Sequence, residues 1–439
     1  MKYTESEVLQ FVEENDVKFV KLMFCDIFGS LKTISIISAD LAKVFRKGLI
    51  FDASKLNGFM NVTSSDLLLF PDPSTLALLP WRPQQGRVAR FFCEIRYPDG
   101  TAFEGDGRFF LKNAVSYAKS KGYNFQFGTS CEFYVFQKDE NDNPLLIPHD
   151  YAGYCDTAPI DKGENLRRDI CLTLEQMDIA PESSRHETGA GQNEIDFQYS
   201  GALKAADNLV TFKNVVKAVA DRNGLYATFM PKPLAEQSGS GLHITLFCMK
   251  GMENIFKPRF DKLTDEAESM LAGILANIKD ITLFLNTTVN SYQRLGYSLA
   301  PKYITWSHHN YAQLIRVPLA VNDENGIILR SADNTCNPYF ALGLIIYACV
   351  QGALQGLKPC EAFDFDPNAA EPDMVKGFDK LPASLDEAIK CAKDSEFLKE
   401  HLPENLINQY IKIKSEEFKE YSNSEDKAEY EKNNYFYTL

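Results

Sequence analysis

The feature that most constrains this chain is a short alternating stretch around a glycine reversal, Ser183-Ser184-Arg185-His186-Glu187-Thr188-Gly189-Ala190-Gly191-Gln192-Asn193-Glu194-Ile195-Asp196-Phe197-Gln198-Tyr199. From Glu194 onward polar and apolar residues alternate with the period of a half-buried strand. Glu194, Asp196 and Gln198 share one face; Ile195, Phe197 and Tyr199 share the other. Gly189-Ala190-Gly191 can adopt the positive φ values of a tight reversal. Glu187 and Glu194 therefore fall on two strands that fold back on each other, and their carboxylates can converge. A hard cation needs a third carboxylate. Glu132, in the alternating apolar run Cys131-Glu132-Phe133-Tyr134-Val135-Phe136, is the best candidate. Carboxylate oxygens are the ligands Mg²⁺ and Mn²⁺ prefer. A single such pair is more simply an ordinary hairpin with solvated glutamates, and the surrounding sequence has to decide.

A chain of 439 residues is too long for one compact domain, and about two or three are expected. The net charge of −14 argues against nucleic-acid or anionic-membrane partners, because phosphate surfaces reward basic proteins. An anionic substrate has to be captured by local arginine, lysine or metal. The ten cysteines are scattered singly, without CxxC, several of them inside apolar runs (Cys131, Cys171, Cys349). This usage predicts free thiols in a reducing compartment, and hence a cytoplasmic, soluble protein. Met1 to Glu7 predicts a capped helix rather than a leader peptide. The longest apolar run, Phe340 to Val350, is about half of a membrane span and predicts a buried helix.

The expected fold class is α+β. Residues 1–100 predict a small domain: a helix from Ser6 to about Asn15, strands Val17–Asp26 and Leu31–Ile37 joined by Ile27-Phe28-Gly29-Ser30, and a strand Phe91–Tyr97. Residues 101–439 predict a large domain on a mostly antiparallel sheet. Its helices are Arg108–Lys121, Asn165–Met177, Leu203–Asn223, Lys262–Lys279, Pro338–Gly356, Leu385–Asp394 and Glu404–Tyr421. Its strands are Phe125–Gln137, Glu194–Tyr199, Tyr226–Met230 and Gly241–Cys248. The tail Tyr435-Phe436-Tyr437-Thr438-Leu439 is apolar for a chain end and should dock on something, a neighbouring subunit being one choice.

Other stretches point to chemistry. Ser238-Gly239-Ser240-Gly241-Leu242-His243 lets a ligand approach the backbone closely, although a plain flexible loop has the same composition. Arg294 follows a polar turn, and Arg316 and Arg330 lie inside apolar runs. Buried arginine is costly unless it meets a carboxylate or phosphate, which an internal ion pair would also provide.

In order along nearly the whole chain, these segments resemble type I glutamine synthetase. Phe24-Cys25-Asp26-Ile27-Phe28-Gly29-Ser30-Leu31-Lys32 resembles the family's opening strands, and Phe51-Asp52-Ala53-Ser54 its ammonium loop. Gly153 to Pro159, His186-Glu187 with Gly191-Gln192-Asn193-Glu194, Met230-Pro231-Lys232-Pro233, Gly239 to His243, Asn290-Ser291-Tyr292 and Asn337-Pro338-Tyr339 follow. The resemblance implies a β-grasp-like small domain and a large domain with a curved antiparallel sheet. It also implies an ATP-dependent ligase that phosphorylates the γ-carboxylate of glutamate, after which ammonia, or another amine, displaces the phosphate. Two divalent ions, Mg²⁺ or Mn²⁺, are implied, as is a dodecamer of two hexameric rings with sites between subunits. By position, Glu132, Glu187 and Glu194 correspond to the first metal's ligands and His243 to a ligand of the second. Gly239, Arg294 and Arg330 correspond to glutamate-binding positions, Arg316 to a nucleotide-side arginine, and Asp52 to the residue that binds ammonium in the neighbouring subunit's site. The segment Glu361–Leu381 lacks tyrosine, so the resemblance implies the short subtype, without the adenylylation site of the long one.

The departures from the family pattern cluster. Ser130 and Ile328 stand where the second metal's carboxylates are expected, and Tyr311 where an arginine clamps the transferring phosphate. Leu299 stands at the position of a flap glutamate, Ser238 at that of a glutamate-binding asparagine, and Arg185 at that of a histidine. The sequence therefore carries two readings: a ligase of this type, or an impaired homologue that binds one metal and an amino acid or serves assembly.

Overall fold

The computed structural model describes residues 3–59, 65–257, 263–318 and 326–439. Thr4 opens the first helix because its hydroxyl accepts from the Glu7 amide while the Glu7 carboxylate accepts from the Thr4 amide, a reciprocal cap. Helix α1 (Glu5–Glu14) leads to β1 (Val17–Cys25), β2 (Leu31–Ile37), α2 (Leu41–Lys47), β3 (Leu49–Asp52), β4 (Asp66–Pro71), β5 (Ala77–Leu78) and β6 (Arg87–Arg96). These strands form one mixed sheet in the order β2-β1-β6-β4-β3, with β5 beside β6. The β1–β6 pair is parallel and its neighbours are antiparallel.

The large sheet follows: α3 (Gly107–Ser120), β7 (Tyr123–Lys138), β8 (Pro144–Pro148), α4 (Glu164–Glu175), β9 (Pro181–His186), β10 (Gln192–Phe197), β11 (Ser200–Gly201), α5 (Ala202–Arg222), β12 (Leu225–Thr228), β13 (Leu242–Lys250) and β14 (Glu253–Asn254). After them come α6 (Asp265–Leu285), α7 (Ser291–Arg294), β15 (Trp306–Ser307), β16 (Ile315–Arg316), β17 (Ile327–Leu329) and α8 (Pro338–Gln355). The order is β15-β16-β17-β13-β7-β10-β9, and β7 is its hub, also pairing with β8, β11 and β12. Among the described residues only β15–β16 is parallel in this sheet. Helices α9 (Leu385–Asp394), α10 (Glu396–His401), α11 (Glu404–Asn423) and α12 (Lys427–Glu431) close the chain.

Helix α8 is apolar on all sides and packs on α6 and α3. It is long and apolar enough to cross a membrane by length and composition, yet 72% of it is buried inside the protein. That is the signature of a core helix. Helix α6 starts at Asp265, behind the Thr264 cap, rather than at Lys262, which lies outside the described residues. It runs on to Leu285 rather than stopping at Lys279, because Ile281, Leu283, Phe284 and Leu285 are all buried. The apolar tail docks on its own chain. Phe436 is buried with its ring 5.1 Å from that of Phe136, and the Leu439 carbonyl accepts from the Phe229 amide at 3.3 Å.

Candidate active site

The cleft is built outward from β7. Glu132 on β7 stands directly opposite Glu194 on β10, and Ser130 stands between Asp196 on β10 and His243 on β13. Alternation along each strand puts all of these side chains on one face. The reversal between β9 and β10 closes where Glu187 donates its amide to the Gln192 carbonyl (2.8 Å). Gly191 makes it possible: its φ is +70°, and a Cβ there would lie 2.7 Å from the Val135 carbonyl oxygen. In this register Arg185, not Glu187, faces Glu194 across the strands. Glu187 sits one step beyond, in the loop.

The reversal is locked from behind. His186 is buried, with Nε2 2.8 Å from Asp150 Oδ1 and Nδ1 2.6 Å from the Glu187 carbonyl. Burial works against its charge, but the Asp150 bond overrides it and raises the His186 pKa. Asp150 also accepts from the Gly191 and Lys162 amides. Asp161, close to this pair, is bonded to Arg167, so this second cluster of acids and imidazole already holds a cation of its own.

At the centre of the cleft, Glu132 Oε2 accepts from the Gly241 amide (2.7 Å) and Gln192 Nε2 (3.2 Å). Its Oε1 lies 3.9 Å from His243 Nε2, while Glu194 Oε1 lies 4.0 Å from His243 Nδ1. Glu194 Oε1 is buried and has no hydrogen-bond partner among the described residues. Burial, reinforced by the nearby Glu187 charge, pushes Glu132 up to about 7. Burial and the Glu132 charge push Glu194 up to about 10. Burial, then Arg330, holds His243 well below the usual imidazole range, leaving a neutral ring with a lone pair. Ligand atoms of Glu132, Glu194 and His243 lie within 4.8 Å of one another. Two crowded carboxylates, an orphaned oxygen and a neutral imidazole fit one divalent cation. A second does not fit. Ser130 and Ile328 line the same cleft and offer a hydroxyl and an aliphatic chain beside a histidine already engaged in the first group.

Four arginines line this cleft of about 730 Å³, Arg185 against the acids themselves and Arg294, Arg316 and Arg330 besides. Arg294 donates to the Ser331 and Arg330 carbonyls at 2.8 and 2.9 Å. A Cβ at position 239 would lie 2.7 Å from Arg294 Cγ, so Gly239 is what admits this side chain. Arg316 and Arg330 each keep a buried Nε with no partner among the described residues. Both guanidinium groups lie over the Tyr311 ring, 4.0 and 5.5 Å from its centroid. Tyr311 therefore stacks beneath two cations. Burial lowers Arg330 to about 10.

Glu132, Glu187, Glu194, His243, Gly239, Arg294, Arg316 and Arg330 all line this cleft, as do Ser238 and Leu299. Asp52 does not. It is exposed at the end of β3, accepting from the Ser54 amide and hydroxyl at 3.0 and 2.6 Å. Sequence reasoning missed the partners of Arg185. Its guanidinium reaches Glu194 (2.5 Å), Asp196 (2.7 Å) and Glu187 (3.3 Å). The signal was available, since Arg185 shares a face with Glu187 and, across the reversal, with Glu194 and Asp196.

The cleft thus sets acids and an imidazole on a curled, mostly antiparallel sheet opposite arginines whose Nε atoms lack partners among the described residues, an arrangement suited to a cation and an anionic ligand. Residues 16–98 match the glutamine synthetase β-grasp domain and residues 104–433 the glutamine synthetase catalytic domain. A glutamine synthetase of Clostridium saccharobutylicum is 42% identical over 426 residues, 96% of each chain. One of Methanosarcina mazei is 40% identical over 428 residues, 95% of each. The solved structure titled GmaS/ADP complex superposes with a TM-score of 0.87 at 26% identity, covering 99% of both chains. The chain belongs to the glutamine synthetase family, ATP-dependent glutamate–ammonia ligases that use Mg²⁺ or Mn²⁺.

Proposed function

We propose that this cleft carries out ATP-dependent ligation of glutamate with ammonia or a small amine, through a γ-glutamyl phosphate. The observation that carries the reading is the facing pair of unsatisfied sets: buried Glu194 Oε1 beside His243 on one wall, buried Nε groups of Arg316 and Arg330 on the other. Buried polar atoms left without partners are expensive, and a cation and an anion would satisfy both sets at once. Glu132, Glu194 and His243 would hold one divalent ion, with Glu187 at its edge. That ion, when bound, supplies charge neutralisation to the carboxylate being phosphorylated. Arg330, beside Arg294 and Gly239, is placed to meet a substrate carboxylate through planar paired N–H groups. Arg316 takes the nucleotide side. The ATP γ-phosphoryl group passes to a γ-carboxylate oxygen; the amine then forms the C–N bond and phosphate leaves with that oxygen. The full-length relatives favour this reading over an impaired homologue.

Further proposals follow from the placement of residues. The small unit is read as residues 1–100 and the catalytic one as 101–439. Asp52, remote from its own chain's cleft, is assigned to a neighbour's site, which requires a ring, read as half of a dodecamer. Exposed Phe19, Ile37 and Ile50 on the small sheet suit a subunit contact. Mass photometry at micromolar concentration should show a multiple of six; monomer alone would overturn the ring. Free cysteines throughout suit the cytoplasm.

The ligase reading is tested by ADP release measured against a panel of carboxylates and amines with Mg²⁺ and Mn²⁺. ADP release that needs both glutamate and an amine is expected. Release that ignores either one contradicts the reading.

A further inference from the structure

We propose that Arg185 is a built-in cation that takes the place of a second divalent ion, so that the cleft binds one ion only. The inference rests on the ligase reading above and explains how a site lacking carboxylates at 130 and 328 keeps its acids neutralised. Glu194 divides its two oxygens. Oε2 lies 2.5 Å from Arg185 Nη2, and Oε1 turns toward His243 and has no partner among the described residues. One side of this carboxylate is thus committed to a guanidinium and the other is left open to a metal. Arg185 Nη1 lies 2.7 Å from Asp196 Oδ2 and 3.1 Å from Ser183 Oγ, and Nε lies 3.3 Å from Glu187 Oε1.

The register shows where this charge sits. Asp196 pairs across β10–β7 with Ser130, and Ser130 pairs across β7–β13 with His243. The guanidinium that grips Asp196 therefore borders the position at which Ser130 offers no carboxylate. A permanently charged, planar group with several donors satisfies three acids without any loss of its charge at physiological pH. A metal ion arriving at the same acids would have to displace it.

The prediction is one Mn²⁺ per protomer in the wild-type protein, measured by isothermal titration calorimetry on the full-length chain without nucleotide. Removing the guanidinium frees Glu187, Asp196 and Glu194 Oε2. Arg185→Ala, and independently the more conservative Arg185→Gln, should each bind a second Mn²⁺, and paired Mn²⁺ ions should then show spin coupling in electron paramagnetic resonance. Arg185→Lys, which keeps the charge, should stay at one. Melting curves on the same samples establish that each variant is folded. Two ions in the wild-type protein, or one ion in both neutral variants, would overturn the proposal. Because stoichiometry is read without turnover, this result is separable from the ligase test: an inactive protein that binds one ion, and two once Arg185 is gone, would fail that reading and keep this one.

Discussion

Two buried arginines, Arg108 and Arg330, show how differently this fold treats the same side chain. Arg108 joins the small sheet to the helices of the large one. Its Nε and Nη2 donate to both oxygens of Asp207 at 3.1 and 3.0 Å, Nη2 also lies 2.9 Å from Asp72, and the Tyr339 hydroxyl completes Asp207 at 2.6 Å. Among the described residues its Nη1 lacks a partner. Burial opposes its charge, but Asp207 overrides it and raises the pKa well above the ordinary value. Among the described residues Arg330 makes no ion pair with a carboxylate, and Glu132 and Glu194 act on it only at longer range. Burial prevails and lowers it to about 10. A paired guanidinium is a structural strut. An unpaired one, facing open volume beside an orphaned carboxylate oxygen, is held ready for something the chain itself does not contain.

The comparison can be broken at its strong end first. Arg108→Ala leaves Asp207 buried without its cation, and half-buried Asp72 with Lys112 at 3.8 Å, and should remove about 3–5 kcal/mol of stability. Arg330→Ala should remove clearly less, since it strands no partner. Urea unfolding of both variants checks this, and equal losses would erase the distinction. The next effect concerns rate. On the one-ion proposal, Ser130→Glu and Ile328→Glu combined with Arg185→Gln, which vacates the place Arg185 holds, should raise ADP release about 100-fold, roughly 2.7 kcal/mol of barrier. The two carboxylates added while Arg185 remains should do little. Smaller again is Arg330→Lys, which keeps the charge but loses the planar pair of donors. It should weaken glutamate binding about tenfold, near 1.4 kcal/mol, by calorimetry. The mildest is Asp52→Ala, at an exposed position, expected to leave stability within about 0.5 kcal/mol. Mixed with Glu194→Gln subunits, it should regain activity that neither variant has alone. No regain would place Asp52 outside any shared site.

Much of the fold was legible from periodicity and punctuation. Leu31–Ile37 and Leu385–Asp394 have the boundaries read from the sequence, and the structure shows Ser384 capping the second. The alternation after Gly191 put Glu194 on one strand face, and the structure sets that face beside β7, where Glu194 meets Glu132. Other elements gave no local signal. Helix α2 is only seven residues long, and β3 and β4 are short runs whose pairing is decided by distant neighbours. The end of α6 was missed because burial of Leu283 and Leu285 is a tertiary fact, not a periodic one. In the site, the convergence of acids follows from register, but the Tyr311 stack under Arg316 and Arg330 does not. It depends on how an irregular segment folds over the sheet. The docking of the tail on β7 and β12 was likewise visible only as an apolar end in search of a surface.

The central claim is that a γ-carboxylate oxygen of glutamate is phosphorylated and then leaves. It is tested most directly with glutamate carrying ¹⁸O in its γ-carboxylate, incubated with the wild-type protein, ATP, the divalent ion and the best amine of the panel. The account predicts one ¹⁸O atom in inorganic phosphate for each amide formed, with ADP in equal amount. Amide formed with unlabelled phosphate, or ADP released without transfer of the label, would contradict it.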